Sequence, residues 1–276
     1  MKNIEYAILV NTTDSFEDCW LPFFKLFSIF WHDYKGKIYL NTETKTFSYP
    51  GLNIIPIRNH QTTTGRKPTW SECLLCALDT MSEAIVLYMQ EDYFLWDFVK
   101  NDLINEFANL ISVKNIDCIH LTDQATPGPF QKTSFEQLLE IDKKAPYRIS
   151  TQVALWKKDV LKQYLRKHEN AWQFELYATR RARILNHKLF NVDTDIYIQN
   201  LNEILPYIFT GIIKGKWNKQ VMNLFEDHGL KIDYSNRGFY VLGHKKNIIT
   251  RFLDLGLYFK IFKSEIDLLK LRICRN

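Results

Sequence analysis

The sequence predicts an α/β fold, a mostly parallel sheet with helices on both faces. Three observations predict it. Short apolar runs recur at Tyr6–Asn11 and at residues 37–41, 53–57, 84–89 and 117–121. Longer stretches with apolar residues at helical spacing separate several of them. Each run also ends in polar or charged residues. Strand–helix alternation of this kind implies a sheet buried on both sides, with ligands beyond the carboxyl ends of its strands.

The elements follow in order. YAILVN (6–11) reads as a buried strand ending in Thr12, Thr13 and Asp14. Residues 16–31 are apolar at helical spacing, with Pro22 near the start or at a kink. KIYLN (37–41) and NIIPI (53–57) are strands. A helix spans 69–83, with Thr69 as its cap and Glu72 three positions on. A strand at 84–89, a helix at 97–112 and the strand DCIHL (117–121) complete this half. Beyond residue 125 the pattern loosens. TPGPF (126–130) is a turn-rich break, 132–144 is a charged segment of weak helical character, and 148–166 is a second strand–helix unit. GFYVLG (238–243) reads as a strand preceded by a turn at Asn236, Arg237 and Gly238. The C-terminal stretch from 251 mixes aromatics, leucines and basic residues at helical spacing. It reads either as a helix packed on the core or as an interfacial helix giving peripheral membrane contact.

Composition narrows the function. A chain of 276 residues can bury a large core, and a single domain over 1–276 is expected. The net charge of +5 is too small and too dispersed for a nucleic-acid binder. Five cysteines without framework spacing read as free thiols, with Cys73 and Cys76 expected to be buried, and scattered histidines make a zinc site improbable. The N-terminus lacks a signal-peptide pattern and no stretch is apolar enough to span a bilayer, so the expected location is the cytoplasm.

The strand ends gather candidate ligands: Thr12, Thr13 and Asp14, then Glu43, Arg58, Gln90–Asp92 and Asp123. The most telling is YMQEDYFLW (88–96), where Glu91 and Asp92 stand side by side at the tip of a buried strand. Two adjacent carboxylates repel, so the fold must expose them or offset their charge.

TWSECLLCAL (69–78) leading into AIVLYMQEDYFL (84–95) resembles bacterial glycosyltransferases with the GT-A, or nucleotide-diphospho-sugar transferase, fold. STQVALWKKDVL (150–161) followed by ENAWQFE (169–175) is similar to the acceptor side of such enzymes. The resemblance covers residues 4–180. It implies a nucleotide-sugar-binding half at 1–125, an acceptor half at 126–210 and a C-terminal extension at 211–276. It also implies a divalent metal, manganese or magnesium, held at an Asp-x-Asp-like triplet. Here the triplet is Gln90-Glu91-Asp92, so the first acid is replaced and Glu91 and Asp92 remain as metal ligands. Asp193-Thr194-Asp195 spells the motif literally but reads as an exposed acidic turn after a basic helix.

On this resemblance Thr12, Thr13, Asp14, Glu43, Arg58, Trp70, Glu91 and Asp92 would contact the nucleotide sugar, and Asp123, Gln152 and Trp172 a glycan or lipid-linked acceptor. The basic loop QTTTGRK (61–67) would close over the diphosphate. An inverting transfer needs a base for the acceptor hydroxyl, and Glu175 and Glu169 are the candidates, with Glu175 first. The bland alternative pairs Glu175 with Arg180 or Arg181 on the surface. The expected activity is hexosyl transfer in surface polysaccharide assembly. Two rivals share the fold. A nucleotidyltransferase would want a Gly-rich basic loop after the first strand, which VNTTDSFED lacks. A non-catalytic nucleotide-sugar binder would explain Gln90.

Overall fold

The computed structural model describes residues 6–59, 66–242 and 255–274. Its first half is the expected alternation: β1 (Tyr6–Asn11), α1 (Glu17–Phe30), β2 (Lys37–Thr42), β3 (Asn53–Arg58), α2 (Trp70–Thr80), β4 (Ile85–Gln90), α3 (Asn101–Val113) and β5 (Cys118–His120). The second half adds β6 (Phe130–Lys132), β7 (Leu138–Ile141), β8 (Ala154–Lys157), α4 (Lys158–Tyr164), α5 (Ala171–Ala182) and β9 (Leu189–Val192). A short ribbon of β10 (Ile212–Ile213) and β11 (Lys216–Trp217) follows, then α6 (Val221–Asp227) and α7 (Leu255–Ile273).

Nine strands form one sheet in the order β3-β2-β1-β4-β8-β5-β9-β7-β6. β1 to β4 are mutually parallel. β8 is inserted antiparallel between β4 and β5, β9 runs parallel to β5, and β7 opposes β9. This is the mixed, mostly parallel α/β sheet that the sequence predicts, with helices on both faces and a helical C-terminal region.

Period-two alternation divides the core. Tyr6, Ile8 and Val10 of β1, with Ile85, Leu87 and Met89 of β4, pack on the aromatic face of α1 and on α3. Ala7 and Leu9, with Val86 and Tyr88, face α2, α4 and α5. Both faces are covered, which is why these strands read as unbroken apolar runs. The sheet's carboxyl edge is thereby held rigidly, and β4 carries the acidic pair to that edge.

The cap expected at the start of α2 is present. Thr69 Oγ1 accepts the Glu72 amide at 3.2 Å while Glu72 Oε2 accepts the Thr69 amide at 2.9 Å, a reciprocal cap for α2. Asn170 and Gln173 form the same device at α5.

Elsewhere the fold overrides local pattern. The helix expected at 97–112 begins only at Asn101, because the preceding residues bond across to a later segment. Leu95 bridges Tyr207, the Trp96 amide donates to Pro206 O at 3.1 Å, and the Lys100 amide to Ile204 O at 2.9 Å. The charged segment 132–144 is not helical; β6 and β7 form an antiparallel pair there, with Leu138 and Ile141 buried. GFYVLG makes one bridge, Phe239 to Trp217, because β11 is two residues long and offers no further edge; its last residue, 243, lies outside the described residues. Cys73 is half-buried and Cys76 exposed, a correction to the expectation of buried thiols, although all five cysteines are free as predicted. Asp193 directly follows the buried strand β9, not a basic helix. It is still a self-contained turn, its Oδ1 accepting the Asp195 amide at 2.9 Å.

Candidate functional site

A cavity of about 550 Å³ opens at the carboxyl end of β4. Glu91 and Asp92 line it where the strand ends. The loop before β8 contributes Ser150, Thr151 and Gln152, the first turns of α5 contribute Trp172 and Glu175, and the segment around β10 contributes Thr210, Ile212 and Lys214. A second cavity of about 640 Å³, beside Trp96 and Tyr207, is lined by aromatic, aliphatic and amide side chains without a single ionisable acid or cation. The ionisable side chains gather in the first.

The acidic pair is enclosed, not solvated: Glu91 is 7% and Asp92 6% exposed. Asp92 Oδ2 accepts the Thr210 hydroxyl at 2.7 Å and the Ile212 amide at 3.0 Å. Its own carbonyl accepts the Gly211 amide at 3.0 Å. Only glycine permits that approach, since a Cβ at position 211 would stand 2.2 Å from Phe94 and 2.9 Å from the Asp92 carbonyl oxygen. Burial raises the Asp92 carboxyl above its ordinary range, and the bonds from Thr210 and Ile212 only partly reverse this. Glu91 is raised well above its ordinary range by burial first and by repulsion from Asp92 second, with the Arg237 guanidinium acting in the opposite sense.

Glu175 is held differently. The amide and the hydroxyl of Thr151 both donate to its Oε1 at 2.8 Å. It pairs with neither arginine of the bland alternative: Arg180 binds Glu265 and Arg181 binds Glu169. Glu169 is fully buried in that ion pair, 2.5 and 2.9 Å from Arg181, and also accepts Ser264 Oγ at 2.8 Å. It has no access to the cavity, which removes it as a base. Trp172 is 81% exposed at the cavity wall, and Gln152 is fixed there by the Tyr207 hydroxyl at 2.8 Å.

The other predicted residues scatter. Thr12 is buried, accepting the Trp20 indole N–H at 2.9 Å. Thr13 Oγ1 lies 2.6 Å from Ser15 Oγ. Asp14 ties the β1 end to the β2 end, accepting the Glu43, Thr44 and Lys45 amides and the Thr44 hydroxyl. Partial burial works to raise its carboxyl, but those bonds outweigh it and hold the pKa below the usual value. Glu43 pairs with Lys67 at 2.7 Å and Arg58 is exposed at the end of edge strand β3. Trp70 packs on Phe174 at 5.3 Å and does not line the cavity. Asp123 accepts the Gln199 amide at 3.1 Å, one residue short of the cavity, where Gln124 takes its place. Residues 61–65 of the basic loop lie outside the described residues; Arg66 pairs with Glu72.

Three site residues escape sequence reading. Thr210 and Lys214 belong to TGIIKGKW (210–217), where Lys214 (φ 52°) and Gly215 (φ 80°) form a two-residue turn between β10 and β11. A two-residue turn ending in glycine between apolar residues is a hairpin signal, and it was there to be read. Arg237 clamps Asp18 through Nε and a terminal nitrogen, both at 2.6 Å, and lies 4.5 Å over the Phe16 ring at the cavity's edge. Nothing local marks it.

No protein-family model matches the chain, and no curated protein does. Among solved structures it is similar to residues 1–349 of S. aureus TarS, at 12% identity and TM-score 0.47, over 68% of this chain and 57% of that one. It is also similar to M. tuberculosis glucosyl-3-phosphoglycerate synthase, at 9% identity and TM-score 0.45, over 86% and 88%. A third likeness is to a mannosyltransferase from Pyrobaculum calidifontis in complex with GDP-Man and Mn2+, at 11% identity and TM-score 0.41, over 71% and 58%. The chain spans little more than half the length of the TarS fragment. At such scores these likenesses carry no functional weight, and the cavity's own residues must.

Proposed function

We propose that the chain is a glycosyltransferase, moving a hexose from a nucleoside-diphosphate donor to a hydroxyl of a glycan or lipid-linked acceptor. The observation that carries this reading is one cavity holding a buried acidic pair at a strand end together with Glu175, oriented by Thr151. Surface polysaccharide assembly is the setting that the motif resemblance implies.

The geometry supports a division of labour. Oε1 of Glu175 takes both bonds from Thr151, so Oε2 is the atom that receives the acceptor's proton. As the acceptor oxygen bonds to the anomeric carbon, the bond to the diphosphate breaks and that proton passes to Glu175, which describes an inverting transfer. Trp172 offers an exposed ring for the acceptor's apolar sugar face, with Gln152 beside it. Thr12, Thr13, Asp14, Glu43 and Arg58 stand at the ends of β1, β2 and β3, the edge where a nucleotide would lie.

Glu91 and Asp92 suit a divalent cation, manganese or magnesium. Their donors are hard oxygens, and burial, with repulsion from Asp92 added at Glu91, raises both carboxyls, a cost that a bound cation would offset. Among the described residues no third His, Cys, Asp or Glu joins them, which fits a cation that completes its shell with diphosphate oxygens and water. Such a cation, when bound, offsets the charge gathering on the departing diphosphate.

Gln90 favours a second reading, a binding protein that retains the site without turnover, because it puts a neutral amide where the motif has an acid. A thermal-shift series with nucleoside diphosphates and nucleotide sugars, with and without manganese, tests the shared part of both readings. A rise in melting temperature with uridine or guanosine diphosphate, larger with manganese, is expected. No shift with any nucleotide would refute both, and binding without turnover would leave the second.

A further inference from the structure

α7 is fixed to the body of the protein through its polar residues. Among its described side chains only Ser264 and Leu268 are buried. Ser264 donates to Glu169 at 2.8 Å, Asp267 lies 2.8 Å from Arg166 and 3.6 Å from Arg181, and Glu265 makes a two-pronged pair with Arg180. Both acids of the helix are therefore committed to the protein.

The opposite side is apolar and open. Tyr258, Phe259, Phe262, Ile266, Leu269 and Ile273 are all exposed. At about 100° per residue these six fall within one stripe roughly 100° wide. Lys263 and Lys270 border the stripe on one side and Arg272 on the other, beside Glu265, which is paired with Arg180; all four are exposed. Lys263 lies 4.4 Å over the Phe259 ring, where the headgroup and the aromatic would meet the same surface. A continuous exposed stripe of this size marks a contact surface. We infer that this face of α7 docks on an anionic lipid surface, with the aromatics entering the interface and the lysines meeting the headgroups.

Charge complementarity selects this occupant. Among the described residues of α7 both acids are already paired with arginines of the body, so a second copy bringing the same lysines and arginine would lack the self-complementary charges that a two-fold interface needs. No described residue of α7 lines the cavity, so the inference stands apart from what the cavity binds.

Sedimentation of the full chain with vesicles tests it. Binding is expected to vesicles of phosphatidylcholine mixed with phosphatidylglycerol, weakening with added salt, and not to phosphatidylcholine alone. Lys263→Ala and Lys270→Ala should each weaken it roughly fivefold, and Phe262→Ser with Ile266→Ser should abolish it. These side chains are exposed, so unchanged melting temperatures would certify folded variants. Absence of vesicle binding, or binding indifferent to lipid charge and to both lysines, would overturn the inference. So would a dimer in light scattering that Phe262→Ser dissolves, because the face would then be a contact between copies.

Discussion

Glu91, Asp92 and Glu175 reach one cavity, but each carboxylate is held in its own way. Asp92 is braced by Thr210 and by the Ile212 amide, Glu175 by Thr151, and Glu91 by its own backbone amide and the charge of Arg237. That difference is testable. The unfolded Glu91 titrates near 4.3, whereas in the fold its pKa is raised. Above about pH 4.3 the folded protein keeps a proton that the unfolded chain has lost, so stability falls as pH rises toward the folded value. Glu91→Gln removes this penalty. Its melting temperature should match the parent near pH 4 and exceed it progressively toward neutrality, by ~2–4 °C for each kcal/mol relieved. Parallel melting curves at every pH would contradict the assignment. Glu175→Gln keeps the shape and the bond from the Thr151 hydroxyl but cannot take a proton. Nucleotide-sugar affinity should hold while the rate falls by roughly two to four orders of magnitude. A loss of affinity equal to the loss of rate would make Glu175 a wall of the pocket. The acidic pair was legible in sequence because a buried strand ending in two acids breaks a clear pattern. The sequence ranks Glu175 ahead of Glu169 but cannot give the reason, since only tertiary contacts turn Glu169 toward Arg181.

Elements with strong internal signals were legible, and those defined by distant partners were not. β1, β4 and the α2 cap follow from apolar runs and a capping pair that need no context. The late start of α3 depends on bonds to residues 204–207, and β6 and β7 depend on β9, so neither shows in local spacing. α5 joins both worlds: its first turns line the cavity, and Arg180 and Arg181 anchor α7. Its buried pair is structural. Glu169→Gln leaves Arg181 with only Asp267, 3.6 Å away, and should cost on the order of 3 kcal/mol in urea unfolding. An unchanged midpoint would show the pair to be dispensable. Thr151 and Glu175 lie outside that network, so the folded fraction should retain its nucleotide affinity.

Across the whole molecule, a rigid parallel half presents the carboxyl ends of β1 to β4, and later segments close over them. Residues 207–218 cross Asp92, the loop before β8 holds Glu175, and Arg237 pins residues 234–240 to Asp18. The sheet's first half was readable from alternation, whereas the closing segments come from irregular chain whose conformation depends on what it covers. Their convergence on the acidic pair is the main reason to place group transfer there. The most direct test is release of nucleoside diphosphate from uridine- and guanosine-diphosphate sugars by the full chain with manganese, measured beside Asp92→Asn and Glu175→Gln. Release by the parent that both variants lose, with Asp92→Asn still folded by circular dichroism, is the predicted result. Equal release by parent and Asp92→Asn, or binding of no nucleoside diphosphate by the parent, would contradict a transferase site at the end of β4.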